Sequence, residues 1–218
     1  MSDIQQIIIE RSIDFAKQKM KSIHSSHGFD HVKRVIAIAE KIGQSEPNSD
    51  SFIIQIAAIL HDIERAEQDR QKGKVCHAEL GSKSAYTFLR ESGLDENRAI
   101  HISQCILTHR YRNEHTPESI EAKVLYDADK LGSIGAIGIG RAFLFAGEVG
   151  ARLHDPDVDI NKTHAYSEDD TAYREFLAKL QYIKDKMLTQ EGTRIAQLRH
   201  TFMTDFFARL NSEVLAKC

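Results

Sequence analysis

Phe52-Ile-Ile-Gln-Ile-Ala-Ala-Ile-Leu60 is an apolar run that ends directly on the pair His61-Asp62. An imidazole and a carboxylate at the end of an uncharged wall are costly unless both find partners, because a buried ionised Asp needs a cation or several hydrogen bonds. A divalent metal is the simplest such partner. The competing reading is that the pair caps a helix and faces water, so the decision rests on whether the rest of the chain delivers further ligands.

Upstream, Val32, Val35, Ile36, Ala39 and Ile42 recur at helical spacing from a start near Phe29-Asp30-His31, and Gly43 suits the helix end. His31 falls on the first turn, near the apolar face. His27 lies one helical turn earlier, so the two imidazoles can point the same way. Asp50 or Ser51 can cap the helix that ends in His61.

Downstream, the polar stretch Ala66–Lys74 reads as a solvated, mobile loop. Cys76-His77 then heads a helix carrying Leu80, Ala85, Phe88 and Leu89 to near Gly93, with His77 on its inward side. Asp95 opens the next helix, where Ile102, Cys105, Ile106 and His109 fall three and four apart, so His109 ends an apolar stripe flanked by Arg110 and Arg112. Ile120, Val124, Leu125, Ala128 and Leu131 repeat the pattern and set Asp129 four residues after Leu125, on a face expected to be buried.

Gly132, Gly135 and Gly138 recur every three residues, but no strand precedes them and no Walker ending follows. They read as a helix packed closely against a neighbour rather than a phosphate-cradling loop. Residues 148–167 are polar and form an expected loop, a lid or a solvated connection, with His154, Asp155, Asp157, Asp159 and His164 along it. Two amphipathic helices follow, one from Tyr173 to Met187 and one from Ile195 to Leu210; their stripes suit core or a homodimer surface. With no convincing strand alternation anywhere, the expected class is all-α.

A chain of 218 residues with 41% hydrophobic content can bury one sizeable core, and a single domain is expected. The net charge of −3, with both signs interleaved, argues against nucleic acid and membrane surfaces as partners. Three isolated cysteines make neither a disulfide framework nor a zinc ribbon, and Ile7–Ile9 is too short an apolar patch for a signal sequence. A cytoplasmic protein is expected.

His31, His61, Asp62 and Asp129 together form a formally neutral shell for a divalent ion that leaves positions for water or substrate oxygen. Mixed nitrogen and oxygen ligation suits Mn, Fe, Co, Ni or Zn better than Ca, with Mg also compatible, and the lack of a thiolate pair argues against a structural zinc. The ion would serve chemistry.

This order of separated His, His-Asp and Asp, at His31, His61-Asp62 and Asp129, resembles the HD superfamily of metal-dependent phosphohydrolases. Asp127-Ala-Asp-Lys-Leu-Gly-Ser-Ile-Gly-Ala-Ile-Gly-Ile-Gly-Arg141-Ala-Phe, followed by Asp155-Pro156, is similar to a branch of small stand-alone bacterial and archaeal members. The resemblance covers roughly 26–156. It implies an all-helical bundle over that span; the N-terminal helix 4–21 and C-terminal helices 168–215 add little to the resemblance and are expected to pack on the bundle as one domain.

The resemblance also implies hydrolysis of a small phosphorylated molecule, a nucleotide being the leading class, with one or two ions bound. His77 and His109 are the expected ligands of a second ion, with Asp62 as the bridge; alternatively the two histidines contact phosphate. Substrate phosphate needs positive charge, for which Lys130, Arg65, Arg110 and Arg112 are candidates, with His27 as a further contact. Glu64, two residues past Asp62, can orient water or exchange a proton. Because the resemblance extends to di-iron oxygenases, an oxidoreductase stays open, as does a binding module without turnover.

Overall fold

The computed structural model describes residues 3–21, 28–71, 74–110 and 115–217. These fall into two compact units, Met1–Asp129 and Lys130–Cys218. Helices account for both, and no strand occurs among the described residues. The boundary lies inside a helix, within the 26–156 span expected as one core. None of the helices among the described residues is long and apolar enough to cross a membrane.

The first unit is built around the opening stretch. It contains α1 (Asp3–Lys19), α2 (Phe29–Gly43), α3 (Ser51–Leu60), α4 (Arg65–Arg70), α5 (His77–Glu91), α6 (Glu96–Thr108) and all but the last two residues of α7 (Ile120–Leu131). In α3 only Ser51 and Gln55 escape full burial, so the helix is apolar all round and must be covered on every side. Helices α1, α2 and α6 provide that cover. Fully burying its four isoleucines and Leu60 contributes on the order of 10 kcal/mol, comparable with the net stability of a whole domain. Its C-terminal end is therefore a stiff platform.

The helix starts where the sequence places it. Asp50 accepts hydrogen bonds from the backbone N–H groups of Phe52 (2.9 Å) and Ile53 (3.3 Å), a regular N-cap. Helix α5 ends on Gly93, whose φ of +87° lets Leu94 N–H reach back to the Leu89 carbonyl at 3.0 Å. By contrast α2 runs through Gly43 and is capped by Gln44 in a right-handed conformation.

The stretch after Glu64 departs from expectation. Its first half is the short helix α4, not a mobile loop. Two local ion pairs, Arg65 with Asp69 and Arg70 with Glu67, brace one side, and the amide of Gln68 is buried on the other.

The second unit contains α8 (Gly135–Glu148), α9 (Ala172–Ala178), a 3-10 helix (Leu180–Lys186) and α10 (Gln190–Val214). One amphipathic helix expected over 173–187 is thus two pieces, broken at Lys179 with φ −145° and ψ −53°. The 3-10 winding puts Leu180 and Ile183, three residues apart, on one line, and both are buried. The glycine run proves to be a packing device: a Cβ on Gly135 would lie 2.9 Å from Arg199 Cγ of α10, while Gly138 is pressed against the chain's own preceding turn. A Cβ on Gly138 would lie 2.3 Å from the Ser133 carbonyl oxygen, so no larger residue fits. Carbonyls just past Lys130 are bound by arginines: Arg199 donates to the Leu131 oxygen and Arg141 to the Gly132 oxygen. Between α8 and α9 the polar stretch is tied down by Arg174, which holds both Thr163 and the buried Asp170.

Candidate metal centre

Six side chains of the first unit converge. They form two sets, His31 with His61 and Asp129, and Asp62 with His77 and His109; within each set the ligand atoms lie within 4.8 Å of one another. In the first set His31 Nε2 is 3.4 Å from His61 Nε2 and 3.3 Å from Asp129 Oδ1. In the second, His77 Nε2 is 3.1 Å from His109 Nε2 and 3.0 Å from Asp62 Oδ1.

Asp62 joins the two sets. Its Oδ2 faces His31 (3.7 Å) and His61 (3.5 Å), while its Oδ1 faces His77 and, at 3.8 Å, His109. The rings of His31, His61, His109 and His77 step across the site with successive centroids 5.2 to 5.4 Å apart. All four histidines and Asp62 are buried, whereas the Asp129 side chain is 20% exposed. Access from solvent is therefore on the Asp129 side.

Local structure explains how these rings are aimed. His61 is the C-cap of α3 and donates its Nδ1–H to the Ala58 carbonyl at 2.8 Å. His109 is the C-cap of α6 and donates its Nδ1–H to the Ile106 carbonyl at 2.6 Å. The same device appears twice: a helix's last turn has an unmet carbonyl, and a histidine satisfies it while turning Nε2 outward. Since a carbonyl only accepts, Nδ1 carries the proton and Nε2 keeps its lone pair.

Several lone pairs and a carboxylate thus meet in a buried space. In their neutral forms His77 and His109 turn two Nε2 lone pairs toward each other, because Gln68 and the Ile106 carbonyl hold their Nδ1 protons. Such a donor set is unfavourable by itself and suits a divalent cation in each set. Burial, reinforced by the nearby His77 and His61 rings, pushes His109 down to about 3, which keeps it a neutral donor at ordinary pH. Burial opposes the charge on Asp62, but protons on the facing nitrogens of His61, His77 and His31, whose place a bound cation would take, outweigh it and hold the carboxyl well below the usual carboxylate range. The nitrogen-rich set fits transition metals better than Ca.

The other expected site residues lie as follows. Glu64 accepts hydrogen bonds from Lys19 Nζ (2.7 Å) and Ser84 Oγ (2.8 Å), joining α1 to α5. Arg65 holds Asp69 on its own helix. One nitrogen of Arg110 donates to Gln68 Oε1 at 2.8 Å. Lys130 follows Asp129 on α7 and is half-buried. His27 and Arg112 lie outside the described residues. Gln68, in a stretch whose polar composition suggests a loop, lies on α4 and touches His77; only the need of His77 Nδ1 for an acceptor points to it from the sequence.

A family model described as HD domain matches residues 28–133, a span that holds all six converging side chains. The chain is 32% identical over 194 residues to the uncharacterised protein YpgQ of Bacillus subtilis, covering 87% of this chain and 85% of that protein. The crystal structure of YpgQ in complex with ADP superposes with a TM-score of 0.74 at 29% identity, covering 96% of each chain. An HD-superfamily hydrolase from Bacillus thuringiensis gives a TM-score of 0.76 at 29% identity, over 97% of this chain and 99% of that one. With its ordered His, His-Asp and Asp residues gathered at one site and relatives matched over nearly their whole length, this chain belongs to the HD superfamily.

Proposed function

We propose that this chain is a metal-dependent phosphohydrolase of small phosphorylated molecules, with nucleotides as the leading substrate class. One observation carries the reading: Asp62 presents one oxygen to each of two histidine-containing sets. That arrangement suits two divalent ions sharing a carboxylate. When bound, such ions polarise a phosphoryl oxygen and lower the pKa of water.

The chain's own residues supply the rest. Asp62, buried and held in its ionised form, balances the positive charge of an ion in the interior of the site. His61 and His109 are locked by their own helices, so their Nε2 atoms need little reorganisation to bind. Asp129, the most open of the six, stands where substrate arrives and can accept a proton there. Lys130, Arg65, Arg110 and Arg112 are the proposed sources of positive charge for substrate phosphates. The nucleotide class is supported by the ADP complex of YpgQ.

The test is metal analysis of the purified protein, joined to a screen of nucleoside mono-, di- and triphosphates with Mn, Co, Ni and Mg. Metal-stimulated release of phosphate or pyrophosphate is expected, and Asp62→Ala should lose both bound metal and turnover. Iron content with substrate-dependent oxygen uptake and no phosphate release would instead establish an oxidoreductase. Nucleotide binding without release would leave a binding module.

A further inference from the structure

We infer that Gln68 is a positioning residue of the second ligand set, holding His77 so that its Nε2 lone pair faces Asp62 and His109. The inference rests on the two-ion reading above. Gln68 lies on α4 with 9% of its surface exposed, and an amide so placed is costly unless it is hydrogen-bonded. Its Oε1 accepts from three donors: the Arg110 guanidinium at 2.8 Å, His77 Nδ1 at 3.0 Å and the His77 backbone N–H at 3.3 Å.

The first and last of these groups can only donate. They therefore fix which end of the amide faces His77: the oxygen, not the nitrogen. Facing an oxygen, Nδ1 must carry the proton, and Nε2 keeps its lone pair 3.0 Å from Asp62 Oδ1. Arg110 lies only 3.4 Å from Nδ1 but cannot donate to a protonated nitrogen, so its contribution is to hold the glutamine oxygen.

The fold explains why an outside residue is needed. His61 and His109 end their helices, where unmet carbonyls are at hand. His77 begins α5, and the first turn of a helix offers unmet N–H groups instead of carbonyls. An acceptor must come from elsewhere in the chain, and α4 delivers it. Metal-bound histidines commonly have such a partner on the second ring nitrogen, and its loss typically weakens metal binding about 10- to 100-fold.

The test uses the full-length, metal-stripped protein titrated with Mn alone, with stoichiometry and affinity followed by calorimetry. Wild type is expected to bind two ions and His77→Ala one. Gln68→Met, which keeps the length but not the acceptor, should bind the first ion normally and the second about 10- to 100-fold more weakly. Gln68→Glu restores an oxygen acceptor and should return the second ion to near wild-type affinity. Gln68→Met binding both ions like wild type would overturn the inference. So would loss of both ions together with helical circular dichroism, or a defect that Gln68→Glu fails to rescue, since either marks a purely structural role. Wild type binding only one ion would instead bring down the two-ion reading, and His77→Ala binding two ions as wild type does would remove His77 from the ligands; either result takes the role of Gln68 with it.

Discussion

Replacing Asp62 with alanine removes one oxygen from each ligand set at once, which no other single substitution among the six does. The consequence can be read as heat stability. An ion that binds only the folded protein stabilises it by about 2.7 kcal/mol when present at 100 times its dissociation constant. For a chain of this size each kcal/mol moves the melting temperature by about 2–4 °C. One ion is then worth ~5–11 °C and two ions roughly twice that. Stripped wild-type protein should show the two-ion shift when Mn is added. Asp129→Ala, which damages only the first set, and His109→Ala, which damages only the second, should each keep about half of it. Asp62→Ala should keep almost none. Differential scanning calorimetry of the four proteins, each with and without Mn, measures these shifts directly. An Asp62→Ala protein that retains half the wild-type shift would mean that one set is complete without the carboxylate, and the bridging assignment would be refuted.

Acidity provides a second check on the metal-free protein. His109 sits near 3 when folded and near 6.5 when unfolded, so between those values the unfolded chain takes up the extra proton. Stability is therefore lost as pH falls through that window, by at most about 5 kcal/mol; below 3.8 the depressed Asp62 adds further loss. His109→Asn should flatten the difference in urea midpoints between neutral and mildly acidic solution, and an unchanged difference would count against the assignment. In the second unit, Gly138→Ala drives a Cβ to 2.3 Å from a backbone oxygen and should cost about 1–3 kcal/mol by chemical denaturation; a neutral result would show that the Ser133 turn can yield. Glu64→Gln should lower stability by about 1 kcal/mol through weaker bonds to Lys19 and Ser84 while leaving Mn binding intact. Lost turnover in that variant with normal metal content would make Glu64 a proton carrier after all.

What the sequence could and could not reveal follows from the kind of signal each residue leaves. His31, His61, Asp62, His109 and Asp129 stand on or at the end of apolar stripes, and such stripes mark buried helix faces. The same pattern exposes α3 as the central helix. Gln68 leaves no such mark, because its neighbours Glu67, Asp69 and Arg70 are polar and its burial comes from three hydrogen bonds made across the fold. The break at Lys179 is equally silent, since Leu180 and Ile183 fit a 3.0-residue repeat about as well as a 3.6-residue one.

Helix ends divide the ligands into two kinds. His61, His109 and Asp129 lie at or near the C-terminal ends of α3, α6 and α7, where the helix dipole is negative and favours a cation. His31 and His77 lie instead in the first turns of α2 and α5, where the dipole disfavours a cation and unmet N–H groups take the place of unmet carbonyls. For His77 the oxygen that α4 brings offsets both deficits, so a segment with no apolar pattern of its own supports a buried ligand.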